Sequence, residues 1–338
     1  KGKILPIDNI YSNDYNIEKE LWETLIWTQN YYLAPFGQII KLSIPTNFNK
    51  KFKSNIEKIV SISEKGIREL PKISNKAPAQ KKILVFLQKN VEKKIKFSDL
   101  SQINTNYSSV CKVLIEKKLI QFSEEKKNPF KSYISYSKKI IKLNNEQKEA
   151  YIRISDRLNE KTFSPFYLKG VTGSGKTEVY LKIAIQALKK NKSVIILVPE
   201  IALSPAVFNK FFNVFGNKVG LWHSRLTNSE KGWVWQQLVQ KKIKIIVGAR
   251  SAIYLPMSNL GLIVIDEEQE SSYKQENPSP RYNARDVALV RAKLSKSTVV
   301  LTSATPSLES YYNYINKKFD LIQLKKRFGG SVYPDIKL

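Results

Sequence analysis

The sequence has very little cysteine, histidine or acid. Its 338 residues include one Cys, one His and one Met, and 29 Asp and Glu stand against 57 Lys and Arg. One cysteine excludes an intramolecular disulfide framework, which is typical of a reducing cytoplasm. No apolar run approaches the roughly 18 residues that cross a bilayer, so a membrane protein is not expected. A secretory signal is missing and the chain begins with Lys, so we interpret it as a fragment of a cytoplasmic protein.

The excess of basic residues gives a formal net charge of +28. A positive net charge of this size favours a polyanionic partner, either nucleic acid or an acidic membrane surface. The alternative is a coding bias, because Lys, Ile and Asn are all abundant and Lys far outnumbers Arg. Composition alone therefore favours nucleic acid without establishing it.

The residue pattern changes twice along the chain, which predicts three parts. Residues 1–75 form a small basic module, and the polar stretch RELPKISNKAPAQ at residues 68–80, with two prolines, is a linker at its end. Residues 76–140 give the order helix, helix, helix and hairpin, with strands at LIQFS and SYISYS. This order resembles a winged helix, with the third helix in the recognition position. The alternative for this part is a generic three-helix spacer. From residue 141 to about 330 the pattern is α/β.

Six short apolar runs alternate with helical stretches in the α/β part. Continuous apolar runs are typical of strands buried on both faces of a parallel sheet, with the helices as crossovers. We therefore predict a parallel sheet whose chemistry lies at the carboxyl ends of its strands. The runs are FYLKG, SVIILVP, KVGLWH, IKIIVG, GLIVID and TVVLTS.

The first of these strands leads into GVTGSGKT at residues 170–177, and a helical stretch follows. This is the G-x-x-x-x-G-K-T pattern in the strand–loop–helix context that it requires. Backbone N–H groups of such a loop and the positive end of the helix dipole bind phosphate oxygens. Lys176 is expected to reach the β- and γ-phosphates, and the Thr177 hydroxyl a magnesium ion. The predicted nucleotide-binding residues are Gly170, Val171, Thr172, Gly173, Ser174, Gly175, Lys176 and Thr177.

Three successive acids end a second buried strand, in the stretch LIVIDEEQESSYKQ at residues 262–275. Neighbouring carboxylates repel one another unless a cation compensates their charge. In nucleotide hydrolases with this loop, a second strand end supplies the metal-binding acid. We therefore predict that Asp266 holds Mg²⁺ and that Glu267 orients and deprotonates the attacking water. The alternative, an exposed strand end with solvated acids, is disfavoured by the loop motif.

A series of motifs resembles the PriA family of replication-restart DNA helicases, which belongs to helicase superfamily 2. The likeness is strong from residue 143 to about 330 and weak before residue 80. The motifs are LNNEQKEA, GVTGSGKTEVYL, LVPEIALSP, LWHSRLT, GARSAIYLP, LIVIDEEQESSYKQ, RYNARDVALVRA and TSATPSLES. The resemblance implies a RecA-like motor lobe at 141–330, a winged-helix domain at 76–140 and the end of a 3′-DNA-end-binding domain at 1–75. Residues 331–338 would begin the link to a second lobe.

The resemblance also implies roles for single residues. Gln147 would contact adenine, and the catalytic residues would be Lys176, Asp266 and Glu267. Coupling of the nucleotide state to DNA movement would fall to Gln269, Ser303, Ala304 and Thr305. Tyrosines would stack on bases and basic residues would meet phosphates. The expected DNA contacts are Arg250, Tyr273, Lys274, Arg281, Tyr282 and Arg285.

A protein of this family would be a 3′→5′ DNA helicase that uses ATP and Mg²⁺ to restart stalled replication forks. Its partners would be DNA forks, single-stranded DNA, the primosome and single-strand-binding protein. This part alone is expected to be inactive, because such motors hydrolyse ATP between two lobes. Two alternatives stay open, namely another superfamily 2 translocase and a non-catalytic fork-binding scaffold with a degenerate motor.

The chain departs from the family's pattern at two positions. Gln269 stands where the family usually has His, and Thr302 stands where it usually has Gly. Glutamine keeps one donor face and one acceptor face but cannot become charged near neutral pH. We therefore expect hydrolysis to survive while its coupling to DNA changes. The family's cysteine-rich insertion is not found in this sequence, so zinc is expected only in a part further along the protein.

Overall fold

The structure, a computed structural model, describes residues 17–45, 56–73, 77–93, 95–126, 129–130, 142–200 and 205–327. The chain divides into two compact units. The larger comprises Lys1–Phe52 and Phe130–Leu338, and the smaller comprises Lys53–Pro129. Within the described ranges, each helix is too short or too polar to cross a membrane.

In the second half of the chain, helices and strands alternate within these described ranges. The described helices are α1 Lys19–Tyr32, α2 Phe36–Ser43, α3 Glu64–Glu69, α4 Pro78–Lys89, α5 Tyr107–Glu116, α6 Asn145–Arg157, α7 Lys176–Lys189, α8 Pro205–Phe215, α9 Asn228–Val239, α10 Ala284–Leu294 and α11 Leu308–Ile315. The described strands are β1 Ile56–Ile62, β2 Ile95–Lys96, β3 Ile120–Lys126, β4 Ser164–Gly170, β5 Ser193–Leu197, β6 Val219–Trp222, β7 Ile245–Gly248, β8 Leu260–Ile265, β9 Thr298–Ser303 and β10 Asp320–Leu324.

The larger unit is built on a parallel sheet. Among the described residues this sheet has seven strands, in the order β10-β4-β9-β8-β5-β7-β6. All residues of β5, β6, β7, β8 and β9 are buried, because crossover helices cover both faces of such a sheet. The predicted α/β fold is confirmed, and each of the six apolar runs overlaps one strand. The edge strand β10 is not predicted, because it includes the exposed polar residues Asp320 and Gln323.

The carboxyl ends of three neighbouring strands meet at one edge of this sheet. Strand β9 lies between β4 and β8, with Lys169 of β4 opposite Ser303 and Ile265 of β8 opposite Leu301. The glycine-rich loop follows β4, the acids follow β8, and the Ser-Ala-Thr segment begins at the end of β9. The fold therefore places all three motifs side by side.

The first two helices belong to the larger unit. Leu21 and Leu25 of α1 are fully buried in the core that surrounds the parallel sheet. The indole N–H of Trp235 on α9 donates to the carbonyl of Ser43 at 2.9 Å. The predicted boundary between the first two parts of the chain is therefore wrong. The helix pair shares the core of the α/β part, and the smaller unit begins at Lys53.

The smaller unit contains an antiparallel sheet, which in its described residues has the order β2-β1-β3. Helices α4 and α5 pack on it through a core that includes Ile83, Leu87, Cys111 and Leu114. The second predicted helix is the short 3-10 helix Phe97–Gln102. Strand β3 pairs with β1, while the second predicted hairpin strand, SYISYS, lies outside the described residues, as do residues 331–338. The winged helix stays a prediction.

A buried ion pair fastens α1 to α10. Arg291 is fully buried, and its guanidinium donates to the carbonyls of Ile253 and Leu255 and to Oε1 of Glu20. The bond to Glu20 is 2.9 Å long. Burial raises the pKa of Glu20, and the nearby Arg291 charge opposes that rise. An arginine in the interior depends on such a partner, because an unpaired buried charge is strongly destabilising.

Glu20→Ala is therefore expected to lower the free energy of unfolding by about 3 kcal/mol, because Arg291 loses its carboxylate. The measurement is urea unfolding of the 338-residue chain, followed by tryptophan fluorescence. Glu23→Ala is the matched control, because the Glu23 side chain on the same helix is 40% exposed and lies 3.7 Å from Lys19. Its change is expected to stay below about 0.5 kcal/mol. Equal losses in the two variants would contradict this role of Glu20.

Candidate functional site

The glycine-rich loop connects β4 to the amino terminus of α7. Gly173 and Gly175 have φ values of 79° and 80°, a region in which other residues are strained, so both turns need glycine. A Cβ at Gly175 would also lie 2.3 Å from Nε2 of Gln147. The loop leads into the start of a 14-residue helix, and loops of this geometry bind phosphate groups.

Lys176 lies in the first turn of α7 and is almost fully buried. Its Nζ donates to the carbonyl of Gly170 at 2.9 Å and is 3.3 Å from Oε1 of Glu267. The hydroxyl of Ser174 is also buried and has no hydrogen-bond partner among the described residues. A phosphate would stabilise both groups, because a buried charge and a buried unpaired hydroxyl are costly by themselves.

Asp266 follows β8, and a hydroxyl group holds each of its carboxylate oxygens. Thr302 donates to Oδ1 at 2.5 Å and Tyr180 donates to Oδ2 at 2.9 Å. Burial raises the pKa of Asp266, and the hydrogen bonds from Thr302 and Tyr180 oppose the rise. The Tyr180 hydroxyl also lies 3.2 Å from Oγ1 of Thr177. The structure thus brings together Thr177 and Asp266, which are the two predicted Mg²⁺ ligands.

The donor set at this point fits Mg²⁺. Within the described ranges, no group of three or more His, Cys, Asp or Glu side chains is placed to hold a metal ion. Mg²⁺ does not need such a cage, because it keeps several waters and binds through one or two carboxylates together with phosphate oxygens. A carboxylate and a hydroxyl beside a phosphate-binding loop meet that requirement.

Glu267 is held from two sides. Its backbone has a φ of 45°, a left-handed conformation that is strained for most residues and that clusters at functional sites. Lys176 contacts Oε1, and the side-chain amide of Gln269 donates to Oε2 at 3.1 Å. The Glu267 side chain is still 37% exposed. It is therefore fixed in position and accessible to a water molecule.

Gln269 connects Glu267 to Ser303, the last residue of β9. Its Nε2 donates to Glu267, and its Oε1 accepts a hydrogen bond from the Ser303 hydroxyl at 2.6 Å. The same hydroxyl oxygen accepts from the backbone N–H of Thr305 at 2.9 Å, across Ala304. The amide uses one donor and one acceptor to join the predicted base to the predicted coupling segment, as a relay between them requires.

Glu268 is fully buried and has no access to a ligand. One of its oxygens accepts from the Tyr167 hydroxyl at 3.2 Å and from the Ser307 N–H at 2.9 Å. The other accepts from the hydroxyls of Ser307 and Ser310 and pairs with Arg285 at 3.1 Å. Since both oxygens are satisfied, Glu268 is an internal anchor that ties the start of α11 to the end of β8.

Two predicted DNA contacts are wrong in this structure because both tyrosines are buried. Tyr273 is 2% exposed and Tyr282 is 0% exposed, so neither ring can stack on a base. The Tyr273 hydroxyl donates to the backbone carbonyl of Asp266 at 2.5 Å. Tyr282 packs edge-on against Tyr254. Both rings hold the segment after β8 against the core.

The predicted basic DNA contacts divide into two groups. The side chain of Arg285 is 11% exposed and paired with Glu268, so the prediction that it meets a phosphate is wrong in this structure. Lys274 and Arg281 are exposed and Arg250 is half-buried. Arg250 and Lys274 line a polar cleft of about 430 Å³. A phosphate contact of these three residues stays a prediction.

The predicted adenine contact of Gln147 is contradicted by its burial. Its side chain is fully buried at the start of α6. The amide N–H donates to the Ser174 carbonyl at 2.8 Å, and the amide oxygen accepts from the Asn144 N–H at 2.9 Å. Gln147 therefore supports the glycine-rich loop from behind and does not face a base.

Three residues of the site are not singled out by the sequence pattern. Tyr180 could have been found, because it lies three positions after Thr177 and so shares its helix face. Thr302 is visible in the sequence only as a departure from glycine. No sequence signal shows that Glu268 is buried, since acids are rarely buried unless they are paired.

A phosphate-binding loop after one strand and a metal-binding acid after another strand of the same parallel sheet define the P-loop class of nucleotide-binding proteins. The family model of the DEAD/DEAH box helicases matches residues 144–313, which is just over half of the chain. The chain therefore belongs to the DEAD/DEAH box helicase family.

Within that family the chain is similar to proteins named replication restart protein PriA. It is 40% identical to the one from Bacillus subtilis (strain 168) over 86% of this chain and 36% of that protein. It is 35% identical to the one from Chlamydia pneumoniae over 96% of this chain and 44% of that protein. The chain thus spans less than half the length of these curated relatives. A weaker likeness, with a TM-score of 0.43 and 22% identity, links 56% of the chain to 24% of RecG in its structure bound to a three-way DNA junction.

Glu268→Gln is expected to lower the free energy of unfolding by about 2 kcal/mol, because the neutral amide loses the charge-assisted bond with Arg285. Chemical unfolding of the 338-residue chain measures the change. Glu270→Gln is the control, since Glu270 is exposed two positions further on and should change stability by less than about 0.5 kcal/mol. If Glu268→Gln proved as stable as the wild type, the carboxylate would not be the anchor of α11.

Proposed function

We propose that the chain carries the ATP-hydrolysing lobe of a 3′→5′ DNA helicase that restarts replication at stalled forks. The observation that carries this proposal is the convergence of Lys176, Asp266 and Glu267 beside the glycine-rich loop. The part that concerns replication restart is supported by the name of the relatives, replication restart protein PriA. The proposed 3′→5′ direction of movement on DNA and the proposed action at stalled forks are supported by the family resemblance.

ATP would be held by the backbone N–H groups of residues 170–177, with Lys176 against its β- and γ-phosphates. Thr177 and Asp266 would hold Mg²⁺, which when bound withdraws charge from the phosphate oxygens. Lys176 lies 3.3 Å from Glu267, so one lysine can contact both the phosphates and the proposed base.

Glu267 would orient the attacking water and accept its proton. Its two oxygens have separate partners, Lys176 on one side and the Gln269 amide on the other. These contacts fix the direction of the carboxylate. The Glu267 side chain is 37% exposed, which leaves room for a water molecule. A base that is positioned in advance raises the rate because it need not be ordered during the reaction.

Coupling between ATP and DNA would pass through the end of β8. Gln269 joins Glu267 to Ser303, and Tyr273 and Arg285 attach the segment after β8 to the same strand end. The exposed Lys274 and Arg281 lie on that segment and would meet DNA phosphates, together with Arg250. The buried tyrosines and Arg285 would then position the segment without touching DNA.

DNA binding would be dominated by phosphate contacts, because the formal net charge is +28. The proposed nucleic-acid partners are forks and single-stranded DNA. Primosome proteins and single-strand-binding protein are proposed as further partners from the family resemblance. These activities concern the whole protein, so their tests use the full-length form.

Two substitutions in the full-length protein test the nucleotide site. Lys176→Ala is expected to weaken ATP binding, because it removes the charge that faces the phosphates. Glu267→Gln is expected to keep ATP binding and to lower turnover at least about 100-fold, because it removes the general base. Binding of a fluorescent ATP analogue and release of phosphate are measured on the same preparations.

Glu270→Gln is the matched control for both measurements, since it neutralises an exposed acid of the same segment. It should leave binding and turnover near the wild-type values. Wild-type turnover in a folded Glu267→Gln protein would overturn the assignment of the base.

Gln269→His tests whether the glutamine relay belongs to a working motor. The wild type is expected to hydrolyse ATP, and the variant to change mainly the stimulation by single-stranded DNA. The reason is that His keeps a donor and an acceptor but can gain a charge near neutral pH. ATP turnover is measured with and without single-stranded DNA. An inactive wild type that Gln269→His makes active would favour the alternative, a non-catalytic fork-binding scaffold.

A further inference from the structure

The Tyr180 hydroxyl lies between the two residues proposed to hold Mg²⁺. It is 2.9 Å from Oδ2 of Asp266 and 3.2 Å from Oγ1 of Thr177. Tyr180 is 1% exposed, and its ring stacks on Phe211 with a centroid separation of 6.1 Å and an interplanar angle of 7°. Packing therefore fixes the hydroxyl between these two side chains.

The direction of each hydrogen bond follows from the chemistry of the three groups. An ionised carboxylate can only accept, so the single Tyr180 proton is directed to Asp266. The Thr177 hydroxyl then donates its proton to the Tyr180 oxygen. A phenol hydroxyl has one proton to donate and oxygen lone pairs with which to accept, so it can serve both contacts in this way. The Thr177 oxygen keeps its lone pairs for another partner, and lone pairs are what a hydroxyl offers to a cation.

We propose that Tyr180 is a positioning residue for the Mg²⁺ site, an inference that rests on the proposed nucleotide function. It turns the Thr177 proton away from the cation and fixes the carboxylate of Asp266, so that both ligands present oxygen lone pairs. Groups in this position orient metal ligands, and their loss typically lowers metal affinity by about 10- to 100-fold.

Tyr180→Phe removes the hydroxyl and keeps the ring against Phe211. The 338-residue chain is titrated with a fluorescent ADP analogue over a range of Mg²⁺ concentrations, and again in EDTA. The Mg²⁺ concentration for half-maximal binding is expected to rise about tenfold, while the affinity in EDTA stays within about twofold of the wild type. A purely structural defect would lower both affinities together.

Tyr254→Phe is the matched control, because it removes the hydroxyl of another fully buried tyrosine. That hydroxyl bonds to Thr28 at 3.3 Å and does not contact the proposed Mg²⁺ ligands. The control should leave the Mg²⁺ midpoint unchanged, and thermal unfolding of both variants shows whether each has kept its fold. An equal shift of the midpoint in Tyr254→Phe would overturn the inference.

The failure of this inference can be told from the failure of the proposed function. An unchanged Mg²⁺ midpoint in Tyr180→Phe, beside Mg²⁺-dependent binding in the wild type, would overturn the inference alone. A wild-type chain that binds no nucleotide at any Mg²⁺ concentration would overturn the proposed function and this inference with it.

Discussion

Three successive carboxylates at the end of β8 coexist because each has a different partner. Asp266 is held by two hydroxyls, Glu267 pairs with Lys176, and Glu268 pairs with Arg285 inside the core. Without these partners, like charges would lie close together in a region of low dielectric, where their repulsion is strong. The arrangement of the site depends on this distribution of charge.

The partners come from separate parts of the chain, so the strand end joins those parts. Lys176 begins α7 directly after the glycine-rich loop. Gln269 reaches Ser303 at the end of β9, and Glu268 reaches Ser307 just before α11. Tyr273 and Arg285 attach the segment after β8. None of these connecting contacts is longer than 3.3 Å. These contacts form a continuous path from the phosphate-binding loop to the segment that carries the exposed Lys274 and Arg281.

The local chemistry of the site was predictable from the sequence, whereas its burial was not. The glycine-rich loop and the acids after β8 are recognisable because each is a short pattern in a required context. The strands are recognisable because parallel strands are continuous apolar runs. Tyr273, Tyr282 and Arg285 lie in a polar stretch that has the composition of a surface loop, and only tertiary packing turns them inwards. Likewise, Glu20 and Arg291 are separated by 271 residues of sequence. A local sequence pattern does not show contacts between residues so far apart, so it could not show that α1 packs in the core of the α/β part.

The contacts around Glu267 join the glycine-rich loop, the segment after β8 and the segment after β9 into one connected unit. Hydrogen–deuterium exchange of the 338-residue chain with and without Mg²⁺–ADP tests this claim most directly. Nucleotide binding is expected to slow amide exchange at residues 170–177 and also at 271–274 and 303–310, because the contacts of residues 266–269 would tighten together. Protection confined to residues 170–180 would contradict the claim.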